Sequence, residues 1–357
     1  MPYLITKTGL EIFDLCRAYG LAALLDTASP EEYFPVINDA GSHYLIDLPS
    51  TEISKDFLIN NNAWHQFFES DSKERVWNNL FLTDKQNWSH KVAKVKKILS
   101  DNLDKIVEKF QNHGNLPEIS TTKGETLSGS LDPSAFKGLR GKTSGDYSEA
   151  QTKVDGLNWA LACLGGAIAG RYKILRAQGN KWNYYVTFPV PQKIEFNNFR
   201  EIRERTYTIG LKYISGQHAA AHFSVCLAQK MRELAASKSQ FSDRFSGVFY
   251  FSMVQSGQQF KPASGGNLSL YPLMELAYSE NPNIEKVFEV WNYLFRKGSV
   301  KGCEDLGVAI TDFIMHPTLE SYERHIQIFL RYMLRGEVKG INYYSEKSLR
   351  EVINYVK

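Results

Sequence analysis

Cysteine is scarce in this sequence, with only four among 357 residues. The four lie far apart and form no CxxC pair, so neither a disulfide framework nor a paired-cysteine metal or redox site is indicated. The pattern favours free thiols in a reducing cytoplasm.

Long apolar runs are also missing. A membrane-spanning helix needs roughly 18 consecutive apolar residues. The nearest approach, around residues 157–170, is broken by glycines and followed at once by Arg171. The first twenty residues carry Glu11 and Asp14 and lack a small-residue cleavage site, so we expect no secretory signal. We therefore expect a cytoplasmic protein with no membrane partner.

The charge is small overall but unevenly distributed. Residues 1–80 carry 5 lysines and arginines against 12 acidic residues, residues 81–240 carry 24 against 14, and residues 241–357 carry 13 of each. The net charge of +3 therefore conceals an acidic start and a basic middle. The basic middle is the part expected to attract a polyanion, with a solvated basic face as the open alternative.

Apolar periodicity predicts an α+β fold, in which a mixed α/β body over residues 1–275 is followed by a C-terminal helical bundle over 276–357. Helical spacing is found in residues 10–25, 74–111, 157–166, 219–236, 284–295, 304–315, 319–334 and 345–356. Strands are predicted at residues 43–48 and 248–254, and in a hairpin formed by 171–177 and 182–190. Two glycine-rich stretches, residues 111–151 and 256–267, are predicted to be loops, and a loop as long as the first is usually functional or disordered.

The first glycine-rich loop contains a basic cluster that imitates a phosphate-binding P-loop. Residues 138–143 end in Gly-Lys-Thr, but the position that needs the first glycine holds Phe136, and no buried strand precedes it. Glycines still let backbone N–H groups approach an anion that basic side chains neutralise. We therefore predict nucleic-acid contacts here, from Lys137, Arg140, Lys142 and Thr143.

Residues 171–212 hold nine basic residues against three acidic ones, interleaved with aromatic residues. Aromatic planes among guanidinium groups are typical of surfaces that bind single strands or RNA–DNA hybrids. The alternative is that the alternating aromatic residues form the core face of a sheet. The predicted nucleic-acid-binding residues are Arg171, Lys173, Arg176, Lys181, Lys193, Arg200, Arg203 and Arg205.

Three further patterns allow competing interpretations. His218, His222 and Cys226 would form one stripe on a helix, either as metal ligands or, as we favour, as a semi-buried structural stripe. Residues 165–170 are glycine-rich but lack GxGxxG spacing, which favours close approach of another backbone. A weak base-reading hypothesis, against a simple turn, concerns Asn60, Asn61 and Asn62.

The chain resembles a known family in two places. The first is its start, with ITKTGL at residues 5–10 and RAYGLA at 17–22. The second is its glycine-rich insert, with SGSLDPS at residues 128–134 followed by Lys137-Gly138 and Arg140-Gly141. These segments, and the α/β body followed by a helical bundle, resemble a compact, divergent large subunit of the type I CRISPR surveillance complex, Cascade.

The resemblance implies a non-catalytic subunit of an antiviral defence ribonucleoprotein, without a cofactor or metal. Such a subunit contacts the 5′ handle of the guide RNA, recognises the protospacer-adjacent motif in target double-stranded DNA and supports R-loop formation, while base pairing reads the sequence. Its implied partners are the guide RNA, the target DNA, other Cascade subunits and a recruited nuclease-helicase. The alternatives that the residues leave open are a metal-dependent nuclease or hydrolase using His218 and His222, and an interaction scaffold whose acidic start docks a basic partner.

Overall fold

A computed structural model of the chain divides into two compact units. The first unit comprises residues 1–174 and 191–199, and the second comprises 175–190 and 200–357. The structure describes residues 2–28, 33–48, 63–68, 81, 88–111, 116–120, 122–127, 153–176, 182–207, 213–238, 241–256, 259–338 and 344–356.

The first unit opens with an antiparallel sheet against a buried helix. Strand β1 (Pro2–Thr6) leads into helix α1 (Glu11–Ala28), and strands β2 (Val36–Asp39) and β3 (His43–Asp47) follow. β1 pairs with β3, and β3 pairs with β2. Alternate residues of β1 and β3 are buried, as expected for a sheet with one face on the core. The predicted helix near 10–25 and strand near 43–48 are confirmed, whereas β1 and β2 are additional strands.

The rest of the first unit is mainly helical. A 3-10 helix at Ala63–Phe68 buries Trp64, and a small antiparallel sheet follows two more helices. These elements are α2 (Trp88–Ser100), α3 (Leu103–Phe110), β4 (Ile119–Ser120), β5 (Glu125–Thr126), β6 (Lys153–Val154) and α4 (Gly156–Ala169).

Helices α1 and α4 cross at two glycines with their backbones in contact. A Cβ atom on Gly165 would lie 1.7 Å from the carbonyl oxygen of Cys16, and one on Gly20 would lie 2.1 Å from that of Leu161. Only hydrogen fits at either position. The interpretation of residues 165–170 as a site of close backbone approach is therefore confirmed.

The predicted hairpin after α4 is confirmed as β7 (Arg171–Arg176) and β8 (Trp182–Glu195), which pair with each other. The last part of β8 belongs to the first unit, where residues 193–195 pair with β2. Helix α5 (Phe196–Tyr207) follows without a break, and the amide of Phe196 donates to the carbonyl oxygen of Pro35.

The second unit contains helix α6 (Gly216–Ser237) and the long antiparallel pair β9 (Arg244–Ser256) and β10 (Gln259–Ser269). The prediction of a loop at 256–267 is wrong, because pairing with β9 supplies backbone partners that compensate for the poor strand propensity of glycine and proline. The register shifts between Pro262 and Ser264, and the ring of Tyr250 lies against Gly266.

Five helices complete the described part of the second unit. Two glycines, Gly298 and Gly307, bring two of them together, since a Cβ atom on Gly298 would lie 2.3 Å from the Cα atom of Gly307. Trp291 is buried among them and donates from Nε1 to the hydroxyl of Tyr344 at 2.9 Å. The helices are α7 (Tyr271–Ala277), α8 (Asn283–Gly298), α9 (Glu304–Met315), α10 (Leu319–Leu334) and α11 (Glu346–Tyr355).

The predicted α+β class is confirmed by mixed helices and antiparallel sheets, with an α/β body first and helices at the C-terminus. The four predicted C-terminal helices are all present, and Ser345 caps α11 by accepting a hydrogen bond from the amide of Ser348. The division into residues 1–275 and 276–357 stays a prediction. In the described part of the chain, no helix is long and apolar enough to cross a membrane.

We predict that Gly165→Ala destabilises the protein by at least about 1–3 kcal/mol, because the added methyl group meets backbone that cannot move aside. Urea-induced unfolding followed by circular dichroism measures the effect. Gly156→Ala is the matched control on the same helix, since its Cβ atom would lie at an ordinary 3.6 Å from Cδ1 of Ile98. Equal losses in the two variants would contradict this account of the crossing.

Candidate nucleic-acid interface

Helix α2 carries a surface of lysines without a single acidic residue. Its 13 residues contain Lys91, Lys94, Lys96 and Lys97, together with His90. Lys94 and Lys97 are exposed and the other two lysines are half-buried. A helix with four positive charges and no negative one presents a strongly positive surface to the surrounding solvent.

The packing of α2 fixes which way these lysines face. Val95 and Leu99 are fully buried, and α2 packs against α4. Lys94 lies at the edge of this contact, where its Nζ is 2.5 Å from Oε1 of Glu125 and 5.7 Å from the centre of the Trp159 ring. The ion pair joins α2 to strand β5 of the small sheet.

The small sheet lies at both ends of the glycine-rich insert, and we call this sheet the stem. β6 lies between β4 and β5, and Thr126 is the register partner of Lys153. The strands on the two sides of the insert therefore lie next to each other. Gly124 has φ of 105°, and a Cβ atom there would lie 2.3 Å from the carbonyl oxygen of Val154, so this tight turn requires glycine.

Two more lysines lie at the stem. Lys153 donates from Nζ to the carbonyl oxygen of Thr122 at 3.2 Å, and Lys123 is exposed on the same turn. The hydroxyl of Ser120 accepts hydrogen bonds from the amides of Thr122 and Lys123, which fixes the turn. The ion pair between Lys94 and Glu125 links α2 to the stem. We call the lysines of these two elements the lysine surface: Lys91, Lys94, Lys96, Lys97, Lys123 and Lys153.

A chain of hydrogen bonds ties the stem to the core. Asp155 caps α4 by accepting from the amide of Asn158, and it also accepts from the amide of Glu118, beside β4. The Asn158 side chain donates to Asp155 at 3.0 Å and accepts from Nε of Arg17 at 2.8 Å. The position of the small sheet is thereby linked to helix α1.

Arg17 is fully buried, and its guanidinium has hydrogen-bond partners in three segments of the chain. Besides Asn158, its guanidinium donates to the carbonyl oxygen of Thr6 at 3.0 Å and to Asp14 at 2.9 Å. Asp14 also accepts from the amides of Thr8 and Gly9. Burial raises the pKa of Asp14, against the lowering effects of Arg17 and Thr8, and burial lowers the pKa of Arg17. The pair is a structural element inside the unit, closed to ligands.

Several residues predicted to bind nucleic acid lie outside what the structure describes. Arg171, Lys173 and Arg176 lie on β7 and Arg205 lies on α5, but the structure describes none of these four side chains. Those outside the described residues altogether are Lys137, Arg140, Lys142, Thr143 and Lys181, and the base-reading candidates Asn60, Asn61 and Asn62.

The remaining predicted basic residues are on two different elements. Lys193 is exposed on β8, opposite Asn38 of β2, in the first unit. Arg200 and Arg203 are half-buried on α5 in the second unit. Lys193 and the two arginines therefore belong to different elements and different units.

The aromatic residues interleaved with these cations are core residues where the structure describes their side chains. The prediction that they stack on bases is wrong for the following four, each at most 5% exposed: Tyr184, Tyr185, Phe196 and Phe199. Tyr184 and Tyr185 are neighbours on β8, a strand that is buried on both faces here, whereas Phe196 and Phe199 are buried residues of helix α5. The alternative interpretation, in which alternate aromatic residues form the core face of a sheet, is confirmed for Tyr184 and Phe188 of β8.

The histidine stripe is buried in the second unit. His218 and His222 lie about 5 Å from the ring centre of Phe295, and both are at most 2% exposed. Sγ of Cys226 is 3.4 Å from Nε2 of His222 and donates to Oδ1 of Asn292 at 3.2 Å. The favoured interpretation of a structural stripe fits this packing, with burial deeper than the semi-buried state expected.

No group of three histidine, cysteine, aspartate or glutamate side chains within the described ranges could hold a metal ion. His218 makes ring contacts only, since neither of its ring nitrogens has a hydrogen-bond partner. Burial lowers the pKa of His218 to about 4. A neutral imidazole packed between aromatic rings has a structural role.

Sequence reasoning missed two features that the structure brings out. The lysines of α2 had a signal in the sequence, because residues 88–100 contain four positive charges and no negative charge. The contribution of Lys123 and Lys153 to the lysine surface had none, because it depends on strand pairing between segments separated by a long insert. The Asp14–Arg17 pair had a signal too, since two opposite charges three residues apart interrupt an otherwise apolar helix.

Comparisons with known proteins leave the family open. No family model matches the chain. A protein of Archaeoglobus fulgidus, named only as an uncharacterized protein, is 28% identical over 366 aligned residues, which cover 99% of this chain and 98% of that protein. The similarity therefore extends over the whole described fold and both units.

We predict that stability falls as the pH drops from 6.5 towards 4. The unfolded chain binds a proton at His218 near pH 6.5, while the folded chain resists it until about pH 4, so acid favours unfolding. His218→Leu should reduce the slope of unfolding free energy against pH by up to about 1.4 kcal/mol per pH unit. Phe295→Leu loosens the same contact but keeps the imidazole, so its slope should match wild type. Equal slopes in all three proteins would contradict the assignment.

Proposed function

We propose that this protein is a non-catalytic nucleic-acid-binding subunit of an RNA-guided complex. The observation that carries nucleic-acid binding is the lysine surface, where an acid-free helix lies beside the stem of a glycine-rich insert that itself contains basic residues. The RNA-guided complex comes from the resemblance of the chain to the large subunit of Cascade.

The regular spacing of phosphates explains why a nucleic acid would bind a surface of this kind. A nucleic-acid backbone offers a negative charge every few ångströms, and lysines that neutralise phosphates release counterions, which gives affinity without sequence preference. Lysines on a rigid helix keep their spacing, because Val95 and Leu99 anchor α2 to α4. Such a surface suits a protein that holds a strand while base pairing elsewhere reads its sequence.

The resemblance extends this proposal to particular partners. The first unit would hold the 5′ handle of a guide RNA or the duplex that carries the protospacer-adjacent motif, with the basic insert close to the bound strand. The C-terminal helices would then support the displaced strand and face the other subunits and the nuclease-helicase. Arg171, Lys173, Arg176, Lys181, Lys193, Arg200, Arg203 and Arg205 stay candidates for further backbone contacts.

The test is the salt dependence of binding. We predict that changing Lys91, Lys94 and Lys97 together to Gln weakens binding to a 20-nucleotide RNA and to a short DNA duplex. The slope of log affinity against log salt should become shallower by about 2–3, since each phosphate contact contributes about 0.7–0.9. Fluorescence anisotropy between low and moderate salt measures both quantities.

The matched control removes the same charge elsewhere. Lys301, Arg324 and Lys347 are exposed in the second unit. Neither the short RNA nor the duplex contains a displaced strand, so changing all three residues to Gln should leave the salt slope for both probes unchanged. If both triple variants behave alike, binding reflects overall charge and not the lysine surface. If the wild-type protein ignores RNA and duplex DNA at low salt, the proposed function fails.

The metal-dependent nuclease using His218 and His222 is the alternative that the sequence leaves open, and within the described residues no third possible ligand joins them. Stoichiometric zinc or manganese in the purified protein, lost in His222→Ala along with cleavage activity, would support it over a binding subunit. The scaffold alternative would instead give a salt-sensitive protein complex that survives nuclease treatment.

A further inference from the structure

Helix α10 has one face in the core and an apolar stripe in solvent. Its buried face consists of Ser321, His325, Phe329 and Tyr332. On the other side, Leu319 is 62%, Leu330 is 41% and Leu334 is 83% exposed, and Ile326 is half-buried. At 100° per residue, Leu319, Ile326, Leu330 and Leu334 lie within about 80° of the helix circumference. We call these four residues the α10 stripe.

Leu319, Leu330 and Leu334 are exposed on one side of a single helix, with Ile326 half-buried between them, and the exposed Glu323 and Gln327 lie on the same side. A single exposed leucine needs no explanation, whereas three on one side of a helix indicate a surface that another element covers. Helix α10 packs mainly on α9 among the described elements, so the stripe lies on the outer side of the helix.

We propose that the α10 stripe pairs with the same stripe of a second copy of this chain, in antiparallel orientation. A two-fold axis between Ile326 and Gln327 would place Leu319 opposite Leu334 of the second copy, at both ends of the contact. Two-fold interfaces require a surface that is complementary to itself, and the two most exposed leucines at opposite ends of α10 meet that requirement.

The charges along α10 favour a second copy of the chain as the partner and an antiparallel arrangement of the two helices. Glu320 and Glu323 lie in the first half of the helix, while Arg331 and Arg335 lie at its end. In the antiparallel arrangement, Glu323 lies within about one residue of Arg331 of the second copy. In a parallel arrangement, residues of like charge on the two helices would face each other. Arg331 is 55% exposed and only loosely paired with Asp305, at 3.8 Å, so it is accessible to a second carboxylate.

The size of the contact sets its strength. Helix α10 has 16 residues, a length of about 24 Å, so the contact is smaller than a standard stable interface. We therefore expect a dimer that dissociates at micromolar concentrations and persists after nuclease treatment. The proposal is independent of nucleic-acid binding.

Sedimentation velocity of the full-length, nuclease-treated chain tests the pairing. Leu330→Glu should weaken the dimer at least about tenfold, because it places a carboxylate opposite Glu323 of the second copy. Leu330→Lys removes the same apolar contact but supplies the opposite charge, so it should weaken the dimer less. A wild-type chain that stays monomeric up to about 200 μM overturns the proposal, as does an equal effect of the two substitutions.

Disulfide cross-linking tests the direction. All four natural cysteines are buried, so they leave engineered cysteines as the reactive ones. A mixture of Leu319→Cys and Leu334→Cys chains should cross-link, while each alone and the control Arg324→Cys, on the far side of the helix, should not. Cross-linking of Leu319→Cys chains with themselves as readily as in the mixture overturns the antiparallel arrangement.

Discussion

The buried guanidinium of Arg17 is the interaction on which the first unit depends. A charge with no exposure is tolerated only when its hydrogen-bonding groups are satisfied, and Asp14, Thr6 and Asn158 supply partners from three segments of the chain. Removing one of these partners would leave the buried charge uncompensated in an apolar environment. The free energy of unfolding would then fall by about 3–5 kcal/mol. The crossing of α1 and α4 at Gly20 and Gly165 then fixes the distance over which Arg17 can reach Asn158. The close contact between α1 and α4 and the buried charge of Arg17 therefore depend on each other.

This arrangement determines where the lysines lie. Asn158 and Asp155 connect Arg17 to the small sheet, and the sheet holds both ends of the glycine-rich insert, while Lys94 joins the sheet to α2. The surface charges thus stand on a framework whose position is set by the core, and not on free loops. Ordered positive charges lose little entropy when they meet a regular series of phosphates, which is the physical basis for proposing a nucleic-acid interface here.

The sequence predicted the helices well, because their signals are local. The helices at 304–315 and 319–334 were predicted from apolar periodicity and from breaks at Gly298, Pro317 and Gly336. The same reasoning missed β10, where pairing with β9 overrides the low strand propensity of Pro262 and Gly266. The site was harder to predict than the fold. Net charge pointed to the basic middle, but which lysines come together depends on pairing across residues 127–152, and burial removed the aromatic residues from the proposed surface.

The central claim is that nucleic acid contacts the lysine surface of the first unit. The most direct measurement is ultraviolet cross-linking of the full chain to RNA and to a DNA duplex, followed by mass spectrometry of the cross-linked peptides. The account predicts that cross-linked peptides come chiefly from residues 88–100 and 119–155. Cross-links confined to the C-terminal helices, or none above the level seen with the variant in which Lys91, Lys94 and Lys97 are Gln, would contradict it.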